Sequence, residues 1–173
     1  MNDITYIYGR IPDKFFSIKK SISNWNYENI SGIGQKRGHD KYAIIELNIY
    51  TIENYPNKEL LNERYPNSIG KENYLNNSSV FIWRVSEAEF PKSIYENGKQ
   101  ELIESIRSTI DIFSFIKKQK LNLVFEITWA GYGMTDAWGK GAVSMAFTNA
   151  ILSCFDKKLY EKGMNYKNKY QSV

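Results

Sequence analysis

The sequence predicts an α+β chain, a two-layer sandwich in which a mixed β-sheet carries helices on one face. Three observations lead there. Tyr42-Ala43-Ile44-Ile45-Glu46-Leu47-Asn48-Ile49-Tyr50 and Val80-Phe81-Ile82-Trp83-Arg84-Val85 are rich in the β-branched and aromatic residues that core strands favour. Leu121, Leu123, Phe125 and Ile127 alternate with Asn122 and Glu126, the period of two of a strand. Val143, Ala146, Phe147, Ala150, Ile151 and Cys154 recur at the three-and-four spacing of one helix face. With 173 residues, 42% hydrophobic and 24% charged, the chain fits one domain and is excluded from disordered and fibrous classes.

From the N-terminus, Ile4-Thr5-Tyr6-Ile7-Tyr8 reads as a strand ended by Gly9 and Pro12. Asp13 then precedes Phe15, Ile18, Ile22 and Trp25, whose spacing predicts a short helix with Asp13 near its N-cap and Lys19 and Lys20 on the polar side. A glycine cluster, Ser31-Gly32-Ile33-Gly34-Gln35 with Gly38-His39, leads into the Tyr42–Tyr50 strand. Residues 53–78 are Asn-rich, with Pro56, Pro66 and Gly70, and read as a long surface insertion with one helical turn around Glu59–Arg64. After the strand 80–85, Pro91 stands where a helix begins, and Ile94, Gly98, Leu102 and Ile106 carry the helical spacing to about Ile106. Thr109–Lys120 is mixed in pattern and ends in a basic run, Lys117, Lys118 and Lys120. Trp129–Gly141, with Gly131, Gly133, Gly139 and Gly141, reads as a flexible or sharply turned loop. The tail from Asp156 carries five lysines and reads as solvated or frayed. No internal repeat is evident.

One His and one Cys narrow the chemistry. A His/Cys zinc site wants three or four such ligands, and a disulfide within the chain wants a second Cys. A Ser-His-Asp or Cys-His system would have to use His39. The net charge of +4 and a pI near 9.0 are mildly basic, compatible with nucleic acid without arguing for it. No window holds the roughly 18 apolar residues of a membrane helix. No secretory signal stands at Met1-Asn2-Asp3-Ile4-Thr5, so the expected compartment is the cytoplasm.

The glycine cluster and the last helix also carry a resemblance. Ser31-Gly32-Ile33-Gly34-Gln35, Gly38-His39 and Ile44-Ile45-Glu46 resemble the opening of domain IV of the ribosomal translocase, elongation factor G. Glu89-Phe90-Pro91 leading into a helix with Gly98, the strand Leu121–Thr128, and Lys140-Gly141-Ala142-Val143-Ser144-Met145-Ala146-Phe147 resemble that domain's later elements, in order, over about residues 31–156. The resemblance implies a ribosomal protein S5 domain 2-like βαβ sandwich. Residues 1–30 would then be a strand–helix extension, 31–156 the core with the insertion 53–78, and 157–173 a basic tail. The departures bear on function. In the family, two tip loops probe the mRNA–tRNA duplex; they map to Gly32–His39 and Trp129–Asp136. In the first, Ile33 replaces the family's arginine between two glycines and two residues are added. The second is shorter and lacks the family's histidine and its Asp-Ser-Ser. There is no Gly-x-x-x-x-Gly-Lys-Ser/Thr GTPase motif, so translocation itself is not expected.

Each candidate site residue has a bland alternative. His39 in its glycine-rich loop suits a general base by its pKa near 6.5, but reads better as hydrogen-bonding a turn. Cys154 lies on the apolar stripe of the last helix and reads as an inert core thiol. Asp136, Glu126 and Glu46 are the acids nearest the glycine loops, and nothing in their spacing predicts a catalytic pair. Gly131–Gly133 and Gly139–Gly141 with Lys140 would cradle phosphate at the start of the last helix, against the plainer reading of a flexible approach to it. Trp129, Tyr132 and Trp138 sit in or beside the glycine-rich loop, where aromatics serve as protein–protein hot spots or stacking platforms, or fold back over the sheet end as a small core.

The expectation is therefore a non-catalytic protein with no cofactor and no metal. A compact chain rich in Asn, Tyr, Ile and Lys is similar in type to the cytoplasmic immunity proteins of bacterial polymorphic-toxin systems, contact-dependent growth inhibition among them. These neutralise a cognate toxin over an interface of roughly 1,600 Å². The alternative is an RNA- or ribosome-binding module derived from a translation factor, with no membrane partner in either case. The expected partner-binding residues are Trp129, Tyr132, Met134, Asp136 and Trp138 at one end of the sheet, with Gln35, Arg37 and His39 beside them.

Overall fold

The computed structural model describes residues 13–37, 42–63, 79–85, 92–132 and 141–171. Among these residues, six helices, α1 (Asp13–Phe16), α2 (Lys19–Asn24), α3 (Lys58–Glu63), α4 (Lys92–Lys117), α5 (Ala142–Ser153) and α6 (Lys157–Gln171), accompany four strands, β1 (Ile30–Arg37), β2 (Tyr42–Thr51), β3 (Val80–Trp83) and β4 (Leu123–Tyr132). The strands form one mixed sheet in the order β1-β2-β4-β3. β1 and β4 run antiparallel to β2, and β3 runs parallel to β4. Parallel neighbours need a long crossover, and α4 supplies it, so β3-α4-β4 is a βαβ unit. The chain is α+β, as its patterning predicts. The strand expected at Ile4–Tyr8 lies outside the described residues.

Alternation along the strands sorts the side chains onto two faces. Ala43, Ile45, Leu47 and Ile49 of β2, Phe81 of β3, and Leu123, Phe125, Ile127 and Ala130 of β4 line the first face. Leu102, Ile106, Ile110 and Phe113 of α4 and Val143, Ala146, Phe147, Ala150 and Ile151 of α5 pack onto it. The stripe of α4 continues past Ile106 through Ile110 and Phe113, so α4 is one helix of 26 residues, and the mixed stretch from Thr109 belongs to it. Lys117, the first residue of the basic run, donates from Nζ to the carbonyls of Ser23 and Trp25 at 3.0 and 2.7 Å and lies over the Tyr27 ring. It thereby ties the end of α4 to the α2 region. The single helix expected from Asp13 is broken at Ser17-Ile18 into α1 and α2, yet Phe15, Ile18, Ile22 and Trp25 are all buried as their spacing predicts.

Further expectations change. Within the glycine cluster, Gly32 and Gly34 are strand, not loop, and stand in β1 opposite Leu47 and Ile45, while Gly38-His39 lie outside the described residues. A Cβ on Gly34 would lie 2.1 Å from the Ala150 backbone nitrogen, and one on Gly32 2.1 Å from the Ala150 carbonyl oxygen. The glycines let α5 approach β1 backbone to backbone. Trp129–Tyr132 is likewise strand, because a bulge between the Glu46 and Leu47 pairings lets β4 continue to Tyr132. Finally, the tail from Lys157 is the 15-residue helix α6. Its Tyr160, Met164 and Tyr166 pack on Ile33, Ile44 and Trp129, which lie on the second face. The helices therefore do not all lie on one face. The 53–78 insertion is not wholly surface either, since Tyr55 is 1% exposed and packs with Tyr50, Val80, Ile82 and Val124. Its helical turn is α3, and residues 64–78 lie outside the described residues.

Candidate binding surface

The expected partner-binding residues separate into two groups. His39, Met134, Asp136 and Trp138 lie outside the described residues. Gln35 and Arg37 end β1, with Arg37 exposed and Gln35 half-buried. Tyr132 ends β4, paired with Ala43. Trp129 does not sit in a loop: it is 6% exposed in β4, beneath α6, with Lys167 Nζ 5.3 Å above its ring. It belongs to the small core that was the alternative reading of the loop aromatics. Gly131 is also a buried strand residue, which removes it from any phosphate cradle. Gly141 opens α5 in a left-handed conformation (φ 95°) with no side-chain cap.

The middle of the second face is polar. Glu126, on β4 between Phe125 and Ile127, is 5% exposed and accepts four hydrogen bonds. Tyr55 Oη (3.0 Å) and Arg84 Nη1 (3.1 Å) donate to its Oε1. Tyr50 Oη (3.4 Å) and Asn48 Nδ2 (3.3 Å) donate to its Oε2. Asn48 Oδ1 in turn accepts from Ser31 Oγ at 2.6 Å. Burial first, and then the Glu126 carboxylate, push the Tyr50 and Tyr55 hydroxyls above their ordinary pKa. The hydrogen bond and charge of Glu126 raise that of Arg84. With both oxygens doubly engaged, Glu126 has no lone pair turned toward a reacting group. It is a tie-point for β2, β4, the end of β3 and the Tyr55 segment. Val124 shares its face and is also fully buried. An apolar neighbour two residues away was the sign in the sequence that this face is covered.

A second acid serves α6. Glu46 Oε2 accepts from Lys167 Nζ at 2.8 Å and from Thr128 Oγ1 at 3.2 Å, and both ends of the ion pair are less than one-fifth exposed. Glu46 and Glu126 thus hold elements together, and each works through its own donors. Cys154 is half-buried beside the core; its Sγ donates to the Ala150 carbonyl at 3.4 Å under Gly32, and burial pushes its thiol pKa up. Among the described residues, no cluster of three His, Cys, Asp or Glu is placed to hold a metal ion, and no helix is long and apolar enough to cross a membrane.

Helix α6 concentrates the charge of the molecule. Its five lysines against one glutamate make a surplus of four, equal to the net +4 of the whole chain. Lys157, Lys158, Lys162 and Lys169 are exposed while Lys167 turns inward to Glu46. Lys158, Glu161, Lys162, Asn165 and Lys169 line a shallow groove along the outer side, and Leu159, 40% exposed, adds an apolar contact beside them. Asp156 starts the helix, its Oδ1 accepting from the Lys158 and Leu159 backbone N–H groups at 2.9 and 3.2 Å. Five lysines within fifteen residues look like a solvated tail in a sequence; Tyr160 and Met164, four residues apart and so on one face, were the signal of a docked helix.

Between α6, α5 and the outer edge of β1 lies a cleft of about 250 Å³ lined by Ile33, Gly34, Gln35, Asn149, Leu159 and Lys162 among others. It exists because Gly163 brings α6 close to β1: a Cβ there would lie 2.7 Å from the Ile33 carbonyl oxygen. Gln35 is the one expected binding residue that this cleft contains. No protein-family model matches the chain, and no curated protein is significantly similar to it.

Proposed function

We propose that the chain works by contact, as an immunity protein that neutralises a cognate bacterial toxin by covering an acidic surface on it. The observation that carries this reading is the set of four exposed lysines, Lys157, Lys158, Lys162 and Lys169, on α6, a helix fixed on the sheet by Tyr160, Met164, Tyr166 and the Lys167–Glu46 ion pair. A rigid element bearing lysines with Leu159 among them is suited to docking, because little conformational entropy is lost on binding. Charge of one sign also speeds encounter with a partner of the other. A basic inhibitor fits a toxin whose contact surface is acidic, and the similarity in type to immunity proteins agrees with that.

An RNA- or ribosome-binding role on an elongation factor G domain IV-like fold is the competing reading. Lysine-only charge with Glu161 among the lysines favours it less, since phosphate recognition gains most from the bidentate fork of arginine. The deciding experiment is capture of partners from bacterial lysate by the tagged protein, with and without nuclease, over a salt series. One stoichiometric protein that survives nuclease and whose toxicity is relieved by co-expression supports the proposal. Ribosomal subunits or RNA, lost steeply with salt, overturn it.

A further inference from the structure

Among the described residues β1 is an edge strand, and α5 covers only part of its edge. The Ile33 backbone N–H donates outward to Ser153 Oγ at 2.8 Å, and the Gln35 carbonyl accepts from Asn149 Nδ2 at 2.7 Å. These two bonds fix the parity of the strand: the main-chain groups of residues 33, 35 and 37 point away from β2, and those of 32, 34 and 36 point toward it. The outward N–H of Gln35 then has no partner among the described residues, and the Gln35 Oε1 atom is buried without one as well. Unsatisfied main-chain donors at a sheet edge are a template for another chain. This one opens into the cleft between α5 and α6, with Lys162 at its side and Arg37 exposed two residues further along the same edge.

We propose that this cleft receives an extended acidic peptide segment of the partner protein, which lengthens the sheet at Gln35–Arg37 and sets a carboxylate against Lys162. This rests on the contact reading above and says where that contact is anchored. The mode is strand addition, in which main-chain hydrogen bonds supply affinity and side-chain pockets supply selectivity. The occupant is acidic because Lys162 lines the cleft and the exposed Arg37 stands two residues along the same strand. Its backbone is extended because a donor on a strand edge is matched by a carbonyl at strand spacing. About 250 Å³ holds one side chain with its backbone, so the cleft takes a single anchor residue and the rest of the segment lies along the edge.

The probe is the peptide acetyl-Glu-Val-Glu-Val-Glu-amide, titrated into the full-length protein and followed by amide NMR shifts. The expected result is saturable shifts at Gln35, Arg37 and Lys162. Binding is expected to weaken about tenfold, the scale of one hydrogen bond or close charge contact, for Gln35→Pro, for Lys162→Glu, and for the same peptide N-methylated at alternate residues. Gln35→Pro removes the outward N–H, which an edge strand tolerates, together with the side chain; Gln35→Ala, which keeps the N–H, is the control and is expected to keep the affinity within about twofold. Should that variant lose its fold, Lys162→Glu and the N-methylated peptide decide. Equal binding of the N-methylated peptide, or shifts confined to the outer groove at Lys158 and Lys169, overturns the cleft while leaving a charge-driven contact by α6 standing. No shift at millimolar peptide also overturns it. Preferential displacement of the peptide by a uridine dodecamer would overturn the contact reading itself.

Discussion

The two faces of the sheet are built on different physics. The first is a broad apolar surface, where β2, β3 and β4 side chains meet the apolar stripes of α4 and α5 and the buried polar groups, Thr109, Asp111, Ser114 and Ser153, belong to the helices. The second is divided into an apolar patch under α6, an aromatic patch around Tyr50 and Tyr55, and between them a band of Ser31, Asn48, Glu126 and Arg84. Burial on the first face is non-directional, and many sequences of similar volume would satisfy it. Burial on the second depends on named donors and acceptors, so it specifies one arrangement. Stability is concentrated on the first face, while the charge and the cleft lie along α6, which covers the second.

The largest effect expected is at the first face: Phe147→Ala, at a fully buried ring packed on Phe125, costs about 3–5 kcal/mol in chemical denaturation. A loss below about 1 kcal/mol would show that α5 is not tightly packed there. Next is Glu126→Leu, which leaves Asn48, Tyr50, Tyr55 and Arg84 without their acceptor and costs about 2–3 kcal/mol. A neutral result would mean that the polar band is dispensable and the two faces are alike. Gly34→Ala forces a methyl into the α5 backbone and is expected to cost about 1–3 kcal/mol. It should also broaden the amide signals of α5, which a simple loss of stability would not do selectively.

Smaller still is a pH effect specific to the second face. Tyr50 and Tyr55 have folded-state pKa values above the ordinary value near 10, so their neutral forms are favoured in the folded protein. Their contribution is fully present below about pH 10 and is lost as pH rises above it, where the unfolded chain has released those protons and the folded one has not. Thermal melts from pH 8 to 11 should show a falling midpoint, and Tyr55→Phe should flatten the fall. The smallest change is expected from Lys157→Ala, which removes an exposed 3.8 Å contact to Glu161 and should shift stability by less than about 0.5 kcal/mol.

What was legible in the sequence follows the same division. The first face was visible because its residues recur with the periods of strand and helix: Leu123, Phe125 and Ile127 and the Val143–Ile151 stripe are where their spacing puts them. The second was harder to read because its cues are not periodic. Glycine in β1 signals a loop until α5 is seen pressed against it, and lysines hide the apolar stripe of α6. Trp129 was misplaced because glycines follow it, while the pairing of β4 with β2 is a long-range choice that local composition does not encode. Of the expected binding residues, Gln35 and Arg37 stand beside the cleft, and Trp129 supports it from below. The carboxylate of Glu126 was noticed as an acid, but its donors come from positions 48, 50, 55 and 84, and only folding brings them together.

The bulge in β4 acts as a phase slip. Up to Ile127 the odd-numbered side chains of β4 face α4 and α5; beyond Thr128 the even-numbered ones do, so that Ala130 enters the first core and Trp129 the second. The single extra residue converts one strand into two half-strands of opposite polarity. Were Thr128 paired in regular register instead of bulged, the indole of Trp129 would turn toward the close-packed α5 side and the methyl group of Ala130 would stand where α6 needs a ring. The bulge at Thr128, as much as the composition of β4, therefore decides which of the two cores each side chain beyond it enters.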